Sequence, residues 1–198
     1  MSKLLLYCTK AKPYLFENVE CLKDICNKYY TYNNNKYLED KTLNGKIVAE
    51  CDFEVENLRI VDDDPLGTYW YETKTLSENE ILEKSCLTSD ELYEYLGEDN
   101  EGYAIHIKNL HIFDKPRELS DYYKIDSSIT LREVINRTKP VYIPINKAPQ
   151  NMMYCHGKKI GERYILISIK PEWLCKILNG EKTIEVRKKV LKEMLKNE

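Results

Sequence analysis

Residues 46–60 read KIVAECDFEVENLRI. Ile47, Ala49, Cys51, Phe53 and Val55 alternate with Glu50, Asp52, Glu54 and Glu56. Side chains point to opposite sides at every second residue only in an extended strand, so no helix satisfies this pattern. One face is a core face and the other carries four carboxylates. Any fold for this chain must be built around that strand, with Asn44-Gly45 as the turn before it.

The remaining periodicities are shorter. Residues 3–9 and 103–113 read as strands, the second broken near Asn109. Ser77-x-x-Glu80 and Thr88-x-x-Glu91 have capping-box spacing and open two short helices, with Gly97 closing the second. Thr130-x-x-Glu133 caps a third, and 116–123 is expected to form a helical turn. Pro140 and Pro149 bound an extended loop with an edge strand at 141–145. Residues 152–155 and 164–169 are strand-like and form a hairpin across the polar connector 156–163. Pro171 stands where a first helical residue would, Trp173 and Ile177 share a helical stripe, and Gly180 ends that helix. A strand over 183–187 follows, then an amphipathic helical tail carrying Val190, Leu191, Met194 and Leu195. Residues 10–14 form a turn around Pro13, and 18–41 give little periodic signal and read as a long connection. Many short strands, scattered helices and no repeating β-α unit predict an α+β protein, a small mixed β-barrel with short peripheral helices.

At 198 residues one domain spanning 1–198 is expected, able to bury roughly 70% of its unfolded surface without a metal or disulfide. No apolar run reaches the ~20 residues of a membrane helix, and MSKLLLYCTKAKPY turns polar too quickly for a signal peptide. A cytoplasmic location with no membrane partner is expected. Seven cysteines form no C-x-x-C pair, and His106, His111 and His156 supply no zinc-like spacing, so neither a metal nor a cofactor is predicted. Cys8, Cys51, Cys155 and Cys175 lie in apolar stretches and read as buried thiols. Sixteen tyrosines against three phenylalanines suit strand walls and, as an alternative, stacking on bases.

The net charge of −3 excludes a uniformly basic nucleic-acid binder. The distribution is uneven, however. Residues 170–198 hold eight Lys/Arg against five Asp/Glu, whereas the first 169 hold 22 against 28. Within that basic end lies Gly180-Glu-Lys-Thr-Ile-Glu-Val-Arg187. Alternation places Thr183, Glu185 and Arg187 on one pleat face, with Lys182 at its start. Arg and Lys offer phosphate-binding donors, Thr a hydroxyl and Glu a general base. The same pattern also describes a solvent-facing strand with a surface ion pair, worth about 0–1 kcal/mol.

The segment ILISIKPEWLCKILNGEKTIEVRKK resembles the opening of ASCH domains, members of the PUA-like superfamily. Their signature is a strand, a short helix and G-x-K-x-x-E-x-R, whose four positions are filled by Gly180, Lys182, Glu185 and Arg187. LLLYCTKAKPYLF, NGKIVAECDFEV, GYAIHIKNLHIFDKPREL and APQNMMYC are similar to the later strands of phage and prophage members. The order differs: family members begin with the segment found here at residues 165–189. A circularly permuted barrel, in which 156–163 joins the family's usual last and first strands, accounts for this. The alternative is a fragment of a tandem array, whose motif would pair with a second copy in a domain-swapped homodimer.

The resemblance implies a PUA-like barrel with a cleft that binds RNA or a modified nucleoside or nucleotide, in a bacterial or phage-infected cytoplasm. Lys170, Trp173, Gly180, Lys182, Glu185, Arg187, Tyr7 and Lys10 are the candidate ligand-binding residues, with Tyr14 a further aromatic. Helical spacing equally explains Trp173 as a core residue. One branch of ASCH proteins is similar to amidohydrolases acting on acetylated cytidine through a lysine, a threonine and a glutamate. That implies Lys182, Thr183 and Glu185 as catalytic groups of a nucleoside hydrolase or ribonuclease, with Glu50 a second choice for the acid, though the spacing of that branch differs. A third reading is a phage-encoded factor that binds a protein through 18–41.

Overall fold

The computed structural model describes residues 2–9, 43, 45–62, 69–97, 101–126, 140–158 and 161–196. They form nine strands: β1 (Lys3–Cys8), β2 (Ile47–Asp62), β3 (Tyr69–Glu72), β4 (Gly102–Arg117), β5 (Tyr123–Ile125), β6 (Tyr142–Pro144), β7 (Met152–His156), β8 (Arg163–Ile169) and β9 (Ile184–Arg187). Three eight-residue helices accompany them: α1 (Glu78–Ser85), α2 (Ser89–Leu96) and α3 (Pro171–Leu178). Short 3-10 turns occupy Leu119–Asp121 and Lys192–Lys196. The expected turn at 10–14, the connection at 18–41 and the helix at 130–133 lie outside the described residues, as do Lys10 and Tyr14.

The strands make one sheet in the order β6-β5-β7-β8-β1-β2-β4-β9, with β3 attached to β2. All the pairings are antiparallel except β1 with β8, which runs parallel from Lys3↔Tyr164 to Cys8↔Ile169. The α+β class is as expected, but the sheet does not close into a barrel. Its outer strands β6 and β9 pair with β5 and β4 respectively, and not with each other among the described residues. The reason lies in where apolar surface is covered. Leu4, Leu6 and Cys8 of β1 enter one core cluster with α3, while Leu5 and Tyr7 enter another on the opposite face. A strand covered on both faces belongs to the middle of an open, layered sheet; a small barrel keeps one face for solvent. The edge strands are three and four residues long, short enough to discourage edge-to-edge pairing.

The strand extends to Asp62 and the alternation is realised through Val55; from Leu58 the buried side chain lies on the other face, in the cluster with α1 and α2. Ala49, Cys51 and Phe53 are buried in the α3-side cluster, and the register irregularity between Ile47 and Ala49 delivers Ile47 to the opposite one. Each carboxylate of the other face has a partner. Lys3 reaches Glu50 at 2.8 Å, Asn109 donates to Asp52 at 2.8 Å, Lys108 pairs with Glu54, and the Thr75 hydroxyl donates to Glu56 at 2.6 Å. The expected break at Asn109 is a left-handed residue (φ 49°) inside a continuous sixteen-residue β4.

Both capping boxes form. Glu80 accepts from the Ser77 amide at 3.0 Å, and Glu91 from the Thr88 amide at 2.9 Å. The Gly97 amide closes α2 on the Tyr93 carbonyl at 2.7 Å. The hairpin is also realised, Met152↔Ile167 through His156↔Arg163. The boundaries near the C-terminal end differ as well. The last strand starts at Ile184 and not at 183, and the tail is a 3-10 turn instead of an α-helix. That turn is pinned by the Tyr154 hydroxyl, which donates to Glu193 at 2.6 Å, while Met194 alone is fully buried. Burial pushes the thiols of Cys8, Cys51 and Cys155 up to about 12, which makes them inert small hydrophobes. No helix among the described residues is long and apolar enough to cross a membrane.

Candidate functional site

The unit α3–turn–β9 is built to deliver a few polar groups to one place. Pro171 pre-sets the first turn of α3, whose Leu174, Cys175 and Ile177 are buried in the core. Gly180, at φ 78°, reverses the chain in a conformation that only glycine adopts without strain. The amides of Glu181 and Lys182 then donate to the Lys176 carbonyl at 2.9 and 3.0 Å. β9 docks on β4 of the same chain, from Tyr103↔Arg187 to His106↔Ile184. Ile184 and Val186 enter the core cluster under α1 and α2, which leaves Glu185 and Arg187 on the other face.

Just before the strand, residues 182–183 run past the C-terminal end of α1. A helix leaves its last carbonyls without intrahelical donors. Here the Thr183 amide donates to the Lys84 carbonyl at 2.9 Å, and the Lys182 ammonium donates to the Ser85 carbonyl at 2.6 Å. A cation there also meets the negative end of the helix dipole. The same ammonium lies 3.3 Å from Glu185 Oε2 and 5.1 Å from the centre of the Trp173 ring. Arg187 Nη2 reaches Glu185 Oε1 at 2.8 Å and donates to the Ser168 carbonyl at 2.7 Å, while Nη1 donates to Asn151 Oδ1 at 3.1 Å.

Lys182 is 2% exposed and Glu185 7%. Two cations therefore share one carboxylate away from bulk water, leaving one positive charge in excess. Burial holds the Lys182 pKa below its ordinary 10.5; Glu185 opposes this, as does the nearby Cys86 thiol. Arg187 Nε is buried and finds no hydrogen-bond partner among the described residues. This arrangement differs in kind from the exposed pairs on β2, because a buried trio is desolvated and poorly screened.

The trio forms the floor of a cleft of about 750 Å3. Lys170 and Trp173 line it, as do Glu91, Glu94 and Tyr95 of α2. Lys188 lies at the rim with its ammonium 5.6 Å from the Tyr95 ring centre. Trp173 serves both roles weighed for it, packing partly against the core and lining the cleft.

Of the residues singled out from the sequence, Lys170, Trp173, Lys182, Glu185 and Arg187 come together here. Gly180 makes the turn and does not line the cleft. Thr183 does not join them either: its side chain is exposed, because the residue precedes the strand and is fixed by its amide to α1. Tyr7 faces a neighbouring cavity of about 550 Å3, and Glu50 is engaged by Lys3 on β2. His106 and His111 approach different β2 carboxylates, Glu56 at 3.1 Å and Glu50 at 3.9 Å. Among the described residues no group of three His, Cys, Asp or Glu is placed to hold a metal. The α2 wall escaped the sequence reading, although Glu91, Glu94 and Tyr95 lie off the buried Leu92–Leu96 stripe and so on the free side of that helix. None of the protein-family models, curated proteins and solved structures compared with the chain matches it.

Proposed function

We propose that this chain is an ASCH-like, PUA-like module that binds RNA or a nucleotide, with its GEKTIEVR segment supplying the cleft floor. Its permuted strand order is part of the same reading. The observation that carries it is the Lys182–Glu185–Arg187 trio, desolvated, with one cation in excess, beneath aromatic side chains from α2 and α3. Trp173 and Tyr95 offer surfaces for a base, and stacking on such a ring is worth about 1–3 kcal/mol. Lys170 and Lys188 are exposed at the mouth and suit phosphate oxygens. Glu91 and Glu94 keep the cleft far from uniformly basic, so base contacts share the affinity with a few phosphate contacts. Filter binding of short RNAs tests this: retention at about 50 mM salt that weakens by 200 mM is expected. No retention at the lower salt refutes it.

Hydrolysis is the second reading, favoured by one observation. A buried lysine whose pKa is depressed, 3.3 Å from a carboxylate, is a competent proton acceptor. With Thr183 facing solvent outside the cleft, water is the nucleophile: Lys182 in its unprotonated form takes the water proton as the oxygen attacks the acyl carbon, then returns it to the cytidine N4 as the acyl C–N bond breaks, releasing cytidine and the carboxylic acid. Chromatography of N-acylated cytidine incubated with wild type and Lys182→Met checks this, and turnover indifferent to Lys182 rules it out.

A further inference from the structure

The cleft at Trp173 and the hollow at Tyr7 are neighbours. Thr9 and Ser168 line both. The shared floor is firmly held: the Ser168 amide donates to the Asn151 carbonyl at 2.9 Å and its hydroxyl to the Pro149 carbonyl at 2.7 Å. Its own carbonyl accepts from Arg187, and the Thr9 amide donates to the Ile169 carbonyl at 2.9 Å. The two hollows thus meet over a floor whose polar groups are largely satisfied by the chain itself.

We propose that one single-stranded oligonucleotide occupies both hollows. One unit lies against Trp173 above the trio, its neighbour lies in the hollow lined by Asn146 and Lys147, and the phosphate between them crosses Thr9 and Ser168. The inference rests on the nucleotide-binding reading and sharpens it: the ligand is a chain of at least two units, not a free nucleoside.

Size supports this first. Pockets of ~300–1,000 Å3 each accommodate one small ligand, and hollows of about 750 and 550 Å3 both fall in that range. A mononucleotide would fill one and leave the other to water. Charge supports it second. On the α2 side Glu91 and Glu94 repel phosphate, whereas Lys170, at the start of α3, attracts it, which draws a backbone towards Lys170. In the Tyr7 hollow, the carboxylate of Glu118 is already paired with Lys46. The exposed side chains of Asn146 and Lys147 hold no hydrogen bond or ion pair among the described residues. A free ammonium and a free amide are what a second phosphate and a base edge require, since the amide both donates and accepts. A groove that tracks a backbone with cations, and offers rings at intervals, is the general architecture of single-strand binding.

The test is affinity against length. Adenosine and uridine 5′-monophosphates are titrated beside the corresponding tetranucleotides by calorimetry at low salt, on wild type and on the double variant Asn146→Ala/Lys147→Ala. Wild type should bind at least one tetranucleotide about ten-fold more tightly than its monophosphate, the gain from one more stacked base and phosphate. The double variant should bind that tetranucleotide no better than wild type binds the monophosphate. Its melting temperature should be unchanged, because both side chains are exposed. Equal affinity for monomer and tetramer, or a double variant that keeps the gain, overturns the extended groove and leaves nucleotide binding standing. No binding by any of the four overturns both.

Discussion

Replacing Glu185 by glutamine removes one negative charge and almost no volume. It leaves the ammonium of Lys182 and the guanidinium of Arg187 facing a neutral amide at their present 3.3 and 2.8 Å. Breaking a buried ion pair from one side costs about 3–5 kcal/mol, because the remaining charge stays desolvated without compensation. The glutamine oxygen still accepts one hydrogen bond, which places the expected loss near the lower end, about 3 kcal/mol. With a urea m-value of about 3 kcal/mol/M for a chain this size, the unfolding midpoint should fall by about 1 M. Lys182→Met is the matched control. It removes the surplus cation, keeps the Glu185–Arg187 pair and leaves only the Ser85 carbonyl without its donor, so a change within about 1 kcal/mol is expected. The reasoning fails if the two variants unfold at the same urea concentration. In that event the carboxylate is not compensating buried charge, and the trio is an ordinary surface contact.

Further outcomes follow from the same structure. Because the folded-state pKa of Lys182 lies below its ordinary 10.5, the unfolded chain binds more protons between those two values, and stability should rise with pH across that window. The difference in unfolding free energy between wild type and Lys182→Met, followed from neutral pH to pH 10.5, should move in favour of wild type; a constant difference refutes it. Gly180→Ala forces an L side chain to φ 78°, with no atom within 4 Å to clash, so the cost is backbone strain of about 1–2 kcal/mol in thermal or urea unfolding. Alkylation of the native protein near pH 8, read by peptide mass spectrometry, should label the partly exposed Cys86 and spare Cys8, Cys51 and Cys155, whose burial keeps them protonated.

What could be read from residue order was what neighbours along the chain decide. The alternation through Phe53, the reciprocal caps at Ser77–Glu80 and Thr88–Glu91, and the proline–glycine frame of α3 are local, and all are realised. So is the grouping of Lys182, Glu185 and Arg187, which sit within six residues. Closure of the sheet was misread because a short apolar run such as Leu4–Leu5–Leu6 does not say whether its second face meets solvent or a second core. Thr183 lies before the strand and outside the cleft lining for a tertiary reason: the end of α1 captures its amide, and the strand begins one residue later. The α2 wall and the Ser85 carbonyl come from about 90 residues away, and no periodicity reports on such distances.

The parallel pairing of β1 with β8 joins Lys3 to Tyr164, about 160 residues later in the chain. During synthesis the first strand emerges long before the one beside which it settles. One edge of it can pair early, with β2 from Leu4↔Cys51 to Tyr7↔Ile47, but the other edge waits until the ribosome has delivered most of the sequence. Long-range closure of this kind slows folding and lengthens the interval in which a nascent chain can aggregate. The edge of β1 that later receives β8 is thus the stretch of backbone left open longest as the sheet assembles.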